Sequence, residues 1–130
     1  MTVLADTSVW VDYLRRGRRS QAVRLDDLLV AGEVVVCGPV VAEVLAGTKT
    51  PDRSTLWLLL AGLPWANLGP VQWQTVGDAA GRLRERGEAT ALTDIEIAVA
   101  AVDSSSQLWT REEDFQRIRG VLPALRFFEP

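Results

Sequence analysis

At 130 residues the chain is the size of one domain, residues 1–130, and a second independent core is not expected. Hydrophobic residues make up 48% and charged residues 24%, which excludes disorder; every long apolar run is broken by Gly or Pro, which excludes a membrane-spanning helix. A net charge of −3 argues against a broad nucleic-acid-binding face, although arginines cluster at Arg15, Arg16, Arg18 and Arg19 and again at Arg82, Arg84 and Arg86.

In chain order, TVLAD reads as a short buried strand and SVWVDYLRRG as a helix stopped by Gly17. QAVRLDDLLVAG is an amphipathic helix with Ala22, Leu25, Leu28 and Leu29 on one face. VVVCG is a second strand, with Cys37 a small buried filler, and PVVAEVLAG is a short helix opened by Pro39. The pattern then predicts a helix over PDRSTLWLLLAG, a third short strand at LPWANL and a longer helix over GPVQWQTVGDAAGRLRERG. TALTDIEIAVAAVDS is a helix, QLWT a strand, EEDFQRIRG a helix and LRFFEP a final edge strand. Short apolar strands alternating with helices indicate an α/β domain whose parallel sheet is covered on both faces. The N-terminus lacks the regions of a signal peptide and a lone cysteine forms no internal disulfide, so a cytoplasmic location is expected.

Four acidic positions stand out against this pattern. Asp6 follows the first strand, at the sheet end where open parallel sheets bind ligands. Glu43 is the only charge between Val34 and Thr48 and has Val40, Ala46 and Gly47 as helical neighbours, so it is expected to be protonated, paired with a buried arginine or bound to a cation. Asp94 shares a helix side with Ile97, Ala98 and Ala101, an inward-facing side. Glu112, Glu113 and Asp114 follow the strand QLWT. Each has a structural alternative: Asp6 as a helix N-cap, Asp94 as a complement to the helix start, Glu113 as a solvent-facing charge. Thr93 with Glu96 fits a capping box, and Asp12, Asp26, Asp27, Asp78 and Asp103 read as helix-surface charges.

A convergent acidic pocket accounts for the four positions together. Carboxylates at close range repel, and a hard divalent cation such as Mg²⁺ or Mn²⁺ removes that repulsion. The chain has no histidine, no GxxxxGK loop and no GxGxxG, which excludes imidazole catalysis, Ser-His-Asp and Cys-His sites, histidine-zinc sites and these phosphate-binding loops. What remains for an oxygen-only metal pocket is activation of water against a phosphodiester.

ADTSVWVDYL, Glu43 within PVVAEVLAG, Asp94 within LTDIEIAVAA, and LWTREEDF together resemble the four acidic blocks of PIN-domain ribonucleases, especially VapC-type toxins of toxin–antitoxin systems. The resemblance covers essentially the whole chain. It implies a PIN-like three-layer α/β/α sandwich with a central, mainly parallel sheet, Mg²⁺-dependent endoribonuclease activity, homodimerisation and inhibition by a cognate VapB-type antitoxin. It also implies metal-binding and water-activating roles for Asp6, Glu43 and Asp94, with Glu112 and Asp114 sharing the fourth position. Related sequences commonly carry Asp where this one has Glu112, one methylene longer. Ser8 either adds a hydroxyl to the site or caps the helix, and Phe115 belongs to the core.

TLWLLLAGLPW is more apolar than one helix of a small domain needs: core packing is expected for most of these residues, and a partner over Trp57 or Trp65 is the functional alternative. Arg15, Arg16, Arg18 or Arg111 would form the basic wall of an RNA groove. Two readings compete. A phospho-receiver domain needs adjacent acids after the first strand and an Asp after a central one, which this chain lacks. A catalytically weak PIN-like binding module has only Glu112 in its favour, and a PIN nuclease directed at DNA is a further variant.

Overall fold

Val3–Ala5 form the central strand, β1, and all three side chains are fully buried. A strand covered on both faces needs an apolar residue at every position, and VLA supplies that. The structure, a computed structural model, describes residues 1–22 and 24–130. β2 (Val34–Val35) and β3 (Gln107–Trp109) flank β1 in parallel, in the order β2-β1-β3. Val3 pairs with Val34 and Gln107, Leu4 with Val35 and Leu108, and Ala5 with Trp109.

Seven helices complete the three-layer sandwich among the described residues: α1 (Thr7–Arg16), α2 (Arg24–Val30), α3 (Gly38–Ala46), α4 (Asp52–Ala61), α5 (Pro70–Glu85), α6 (Leu92–Asp103) and α7 (Asp114–Val121). None is long and apolar enough to cross a membrane. Gly17 ends α1 at φ 53°, a conformation that suits glycine, and its N–H donates to the Tyr13 carbonyl.

α6 is the best-buried helix. Ile95, Ile97, Ala98, Val99, Ala100 and Ala101 are all buried, and the helix packs against α3, α5, α7 and β3. Its alanines let neighbours approach closely, while each buried Ile or Val contributes roughly 1.5–3 kcal/mol. The consequence for function is positional: the first turn of α6, which carries Asp94, is held from several sides.

Two of the expected strands shrink to single bridges. LPWANL touches the sheet only through Val36 and Trp65, and LRFFEP only through Leu108 and Phe127. Pro64 has no N–H to offer a ladder, which explains the first case. The capping box at Thr93 and Glu96 is also absent: α6 starts at Leu92, so Thr93 lies inside the first turn instead of ahead of it, and Ala91 occupies the cap position without a side-chain bond. Cys37 is fully buried as expected, and burial raises its thiol to about 11.

Candidate active site

Asp6 is the first residue past β1, and pairing with β3 continues onto it, since its backbone N–H donates to the Trp109 carbonyl at 2.9 Å. The side chain is 3% exposed. Oδ1 accepts from the Ser8 hydroxyl at 2.5 Å and from the Val9 N–H at 3.2 Å, while Oδ2 accepts from the Thr110 hydroxyl at 2.5 Å. Asp6 therefore does cap α1, and it also lines the acidic cleft; the two readings are compatible. A carboxylate offers about four acceptor positions, so these three bonds leave room for a further ligand. Burial raises its carboxyl above the ordinary value, opposed by the hydrogen bonds and reinforced by Glu112.

Asp94, third residue of α6, is half-buried on the side of Ile97, Ala98 and Ala101. Burial first, then the charges of Asp6, Asp114, Glu43 and Glu112, push its carboxyl up to about 6. The charges of the other four acids named from the sequence thus all reach Asp94. Asp6, Glu43, Asp94 and Glu112, drawn from four distant segments, line one cleft of about 350 Å³ with the hydroxyl-bearing Thr7 and Ser8. No Lys or Arg lines it.

Glu43 departs from expectation. It is exposed, not surrounded by apolar side chains, because α3 buries Val40, Val41 and Val44 and leaves Ala42, Glu43 and Ala46 uncovered. Of its helical neighbours Val40 is buried, but Ala46 and Gly47 are small and exposed, so no apolar wall closes over the carboxylate. Its Oε1 accepts from the Thr7 hydroxyl at 2.8 Å. Glu96 is half-buried, with its carboxyl raised by burial and then by Glu43. Glu112 is exposed at the cleft rim, and its N–H donates to the Thr110 hydroxyl at 2.9 Å. Asp114 does not line the cleft: it opens α7 and pairs with Arg117 at 3.4 Å. Phe115 is core.

The donor set fits a hard cation, being oxygen alone with no competing positive side chain. Among the described residues no three acids stand close enough to close on a single ion as they are placed. The two inner acids, Asp6 and Asp94, are buried and half-buried, whereas Glu43 and Glu112 are exposed side chains with torsional freedom.

One arrangement escaped the sequence reading. Asp12 is not a surface charge but is buried, 7% exposed. It accepts from the Ser20 hydroxyl, from Arg111 Nη1 at 3.2 Å and from Arg16 Nε at 3.4 Å. These bonds, Ser20 first, lower its carboxyl. The signal was present in the spacing, since Asp12 stands three residues from the buried Val9 on the same helix side. Thr110, which ends the run QLWT, gave no such signal.

A PIN-domain family model matches residues 3–121. VapC ribonuclease Mb1587 of Mycobacterium bovis is 30% identical over 124 residues, 92% of each chain, and ribonuclease VapC11 of Mycobacterium tuberculosis matches to the same extent. Among solved structures, DNA-bound VapBC from Salmonella typhimurium superposes with a TM-score of 0.77 at 16% identity over 98% of this chain and 97% of that one. VapBC2 from Rickettsia felis, bound to a fragment of its promoter DNA, gives 0.76 at 20% identity over 98% of both chains. These last two bear on fold, the first two on family. The chain belongs to the PIN-domain family, among the VapC ribonucleases.

Proposed function

We propose that this protein is the endoribonuclease toxin of a toxin–antitoxin pair, a single unit over residues 1–130 that hydrolyses RNA phosphodiesters with Mg²⁺, for which Mn²⁺ can substitute. One observation carries the reading: four carboxylates from distant segments line a single cleft that no basic side chain enters. Asp6, Glu43, Asp94 and Glu112 would hold the cation. When bound, it supplies Lewis-acid polarisation of the phosphate and a water of lowered pKa.

The chain's own groups do the rest. The Ser8 and Thr110 hydroxyls fix the Asp6 carboxylate in one orientation. Asp94, rigidly based on α6, orients the attacking water as a hydrogen-bond acceptor. The Asp114 charge raises the Asp94 carboxyl more than that of Glu112 does, but Glu112 lines the cleft and Asp114 does not, so Glu112 is taken as the fourth acid with Asp114 outside it. A second cleft of about 420 Å³, lined by Arg15, Arg16 and Arg111, shares Ser8, Val11 and Glu112 with the acidic one and takes the flanking RNA phosphates. Arg18 does not line it.

The inhibitory partner is a VapB-type antitoxin. Trp57, Leu58 and Leu59 are exposed on α4 next to an apolar depression containing Leu14 and Leu56, a surface suited to an apolar antitoxin segment. Trp65 is less available: its ring packs edge-on against Trp57 at 6.1 Å and its Nε1 donates to the Leu60 carbonyl. An antitoxin arginine entering the acidic cleft would neutralise it. The homodimer that the family resemblance implies would draw on a second apolar surface, for which Val71 and Trp73 are exposed on α5. The site of action is the cytoplasm.

The test is incubation of antitoxin-free protein with total bacterial RNA, and with matched DNA, in Mg²⁺ and in EDTA. Discrete Mg²⁺-dependent RNA fragments, lost in Asp6→Asn and Asp94→Asn, support the proposal. Absence of cleavage with metal binding intact favours a non-catalytic module, and cleavage of DNA alone redirects the substrate.

A further inference from the structure

The loop after β3 is tied down at three successive residues. Thr110 donates its hydroxyl to Asp6 Oδ2 and accepts the Glu112 N–H. The Arg111 N–H donates to the Ser8 hydroxyl at 3.3 Å, and that hydroxyl in turn donates to Asp6 Oδ1. The Arg111 guanidinium reaches the other way, to Asp12 at 3.2 Å and to Gln21 Oε1 at 3.4 Å. Asp12 itself is fixed: it is buried, it accepts from the Ser20 hydroxyl, and Ser20 Oγ accepts the Ala22 N–H at 2.8 Å. The Arg111 guanidinium is thus fastened to the body of the molecule, while the residue directly after it is the exposed acid at the cleft rim.

We infer that Asp12 is a positioning residue: through its ion pair with Arg111 it holds the 110–112 loop so that Glu112 can serve as the fourth ligand of the acidic cleft. A glutamate in place of aspartate has one more torsion to restrain, and a fixed backbone on its N-terminal side offsets that freedom. The role rests on the nuclease reading of the cleft. Asp12 borders the arginine-lined cleft, but there its carboxylate is taken up by Arg16 and Arg111, and Arg111 keeps an exposed edge, 42% by side chain, toward that cleft.

The test couples Asp12 to Glu112. Mn²⁺ affinity by calorimetry, RNA cleavage rate and thermal midpoint are measured for wild type, Asp12→Asn, Arg111→Gln, Arg111→Lys and Glu112→Gln, and for Asp12→Asn and Arg111→Gln each in the Glu112→Gln background. Asp12→Asn and Arg111→Gln are each expected to weaken Mn²⁺ binding roughly 10-fold or more, the scale of lost outer-shell support, and to cost little further once Glu112 is gone. Arg111→Lys, which keeps the charge, recovers part of the affinity. Equal losses with and without Glu112, following the thermal midpoint, would mean that Asp12 is merely structural and would overturn the inference. So would unchanged Mn²⁺ affinity in Asp12→Asn, or no Mn²⁺ binding by wild type. If Asp12→Asn does not fold, Arg111→Gln decides alone, since its side chain is partly exposed. A wild type that binds Mn²⁺ but cleaves no RNA defeats the nuclease proposal while the Mn²⁺ coupling still decides the role of Asp12.

Discussion

Asp6 and Asp12 lie six residues apart, both buried, and their carboxyls move in opposite directions. Around Asp12 the protein places Arg16, Arg111 and the Ser20 hydroxyl, and the acid form is disfavoured. Around Asp6 it places only hydroxyls, a backbone N–H and another acid, and burial wins. A buried carboxylate that the fold supplies with its own cation is a strut. One to which the fold supplies none is, under the proposed function, where a cation from outside would bind.

The contrast is tested most severely by removing charge at the prepared site. Asp6→Asn and Asp94→Asn are each expected to lower Mg²⁺-dependent RNA cleavage by more than about 100-fold, the scale on which one electrostatic stabiliser acts; rates against folded protein check this. Next in size is the surface away from both acids. Trp57→Glu or Leu58→Glu should weaken antitoxin binding about 30-fold, equivalent to roughly 2 kcal/mol at an apolar hot spot, with cleavage unchanged. Thr110→Val, which removes a hydrogen bond to the Asp6 carboxylate, should cost about 1.5 kcal/mol, or roughly 10-fold in Mn²⁺ affinity, with the fold retained.

The smallest effect is the most diagnostic. The folded protein keeps the Asp94 proton up to about pH 6, whereas the unfolded chain releases it near 3.8. Between those values the folded state binds more protons, so metal-free stability falls as pH rises from about 4 to about 6. Asp94 is only half-buried, so solvent screening limits the effect to about 1 kcal/mol or less. In EDTA at pH 7.5, Asp94→Asn should therefore melt slightly higher than wild type, and Asp12→Asn lower. For Asp12 the sign is reversed because its lowered carboxyl contributes stability that disappears only as pH falls through the acid range. Melting curves of the same sign for both variants would break the comparison.

The parts of this arrangement legible in sequence are those that depend on periodicity. β1, α1, α3, α6 and the inward face of Asp94 all follow from apolar spacing, and the placement of Asp6 follows from its position after an apolar run. Side chains whose role depends on a distant partner were not legible. The spacing from Val9 marks Asp12 as inward-facing, but its partner, Arg111, comes 99 residues later and only the fold brings it alongside. Glu43 looked trapped because its neighbours are apolar, yet whether a face is covered is decided by packing and not by composition. Trp65 and Phe127 looked like strand residues and make one bridge each, because strand length is set by what lies alongside.

Thr110, Arg111 and Glu112 alternate in what they address: Asp6, then Asp12, then the acidic rim. Such alternation has a phase. Deleting or inserting one residue between Trp109 and Asp114 would part the guanidinium from Asp12 and the Glu112 side chain from the acidic rim at once. A single-residue length change here should be far less tolerated than one in the exposed turn at 47–51, because it would break two sets of contacts and not one.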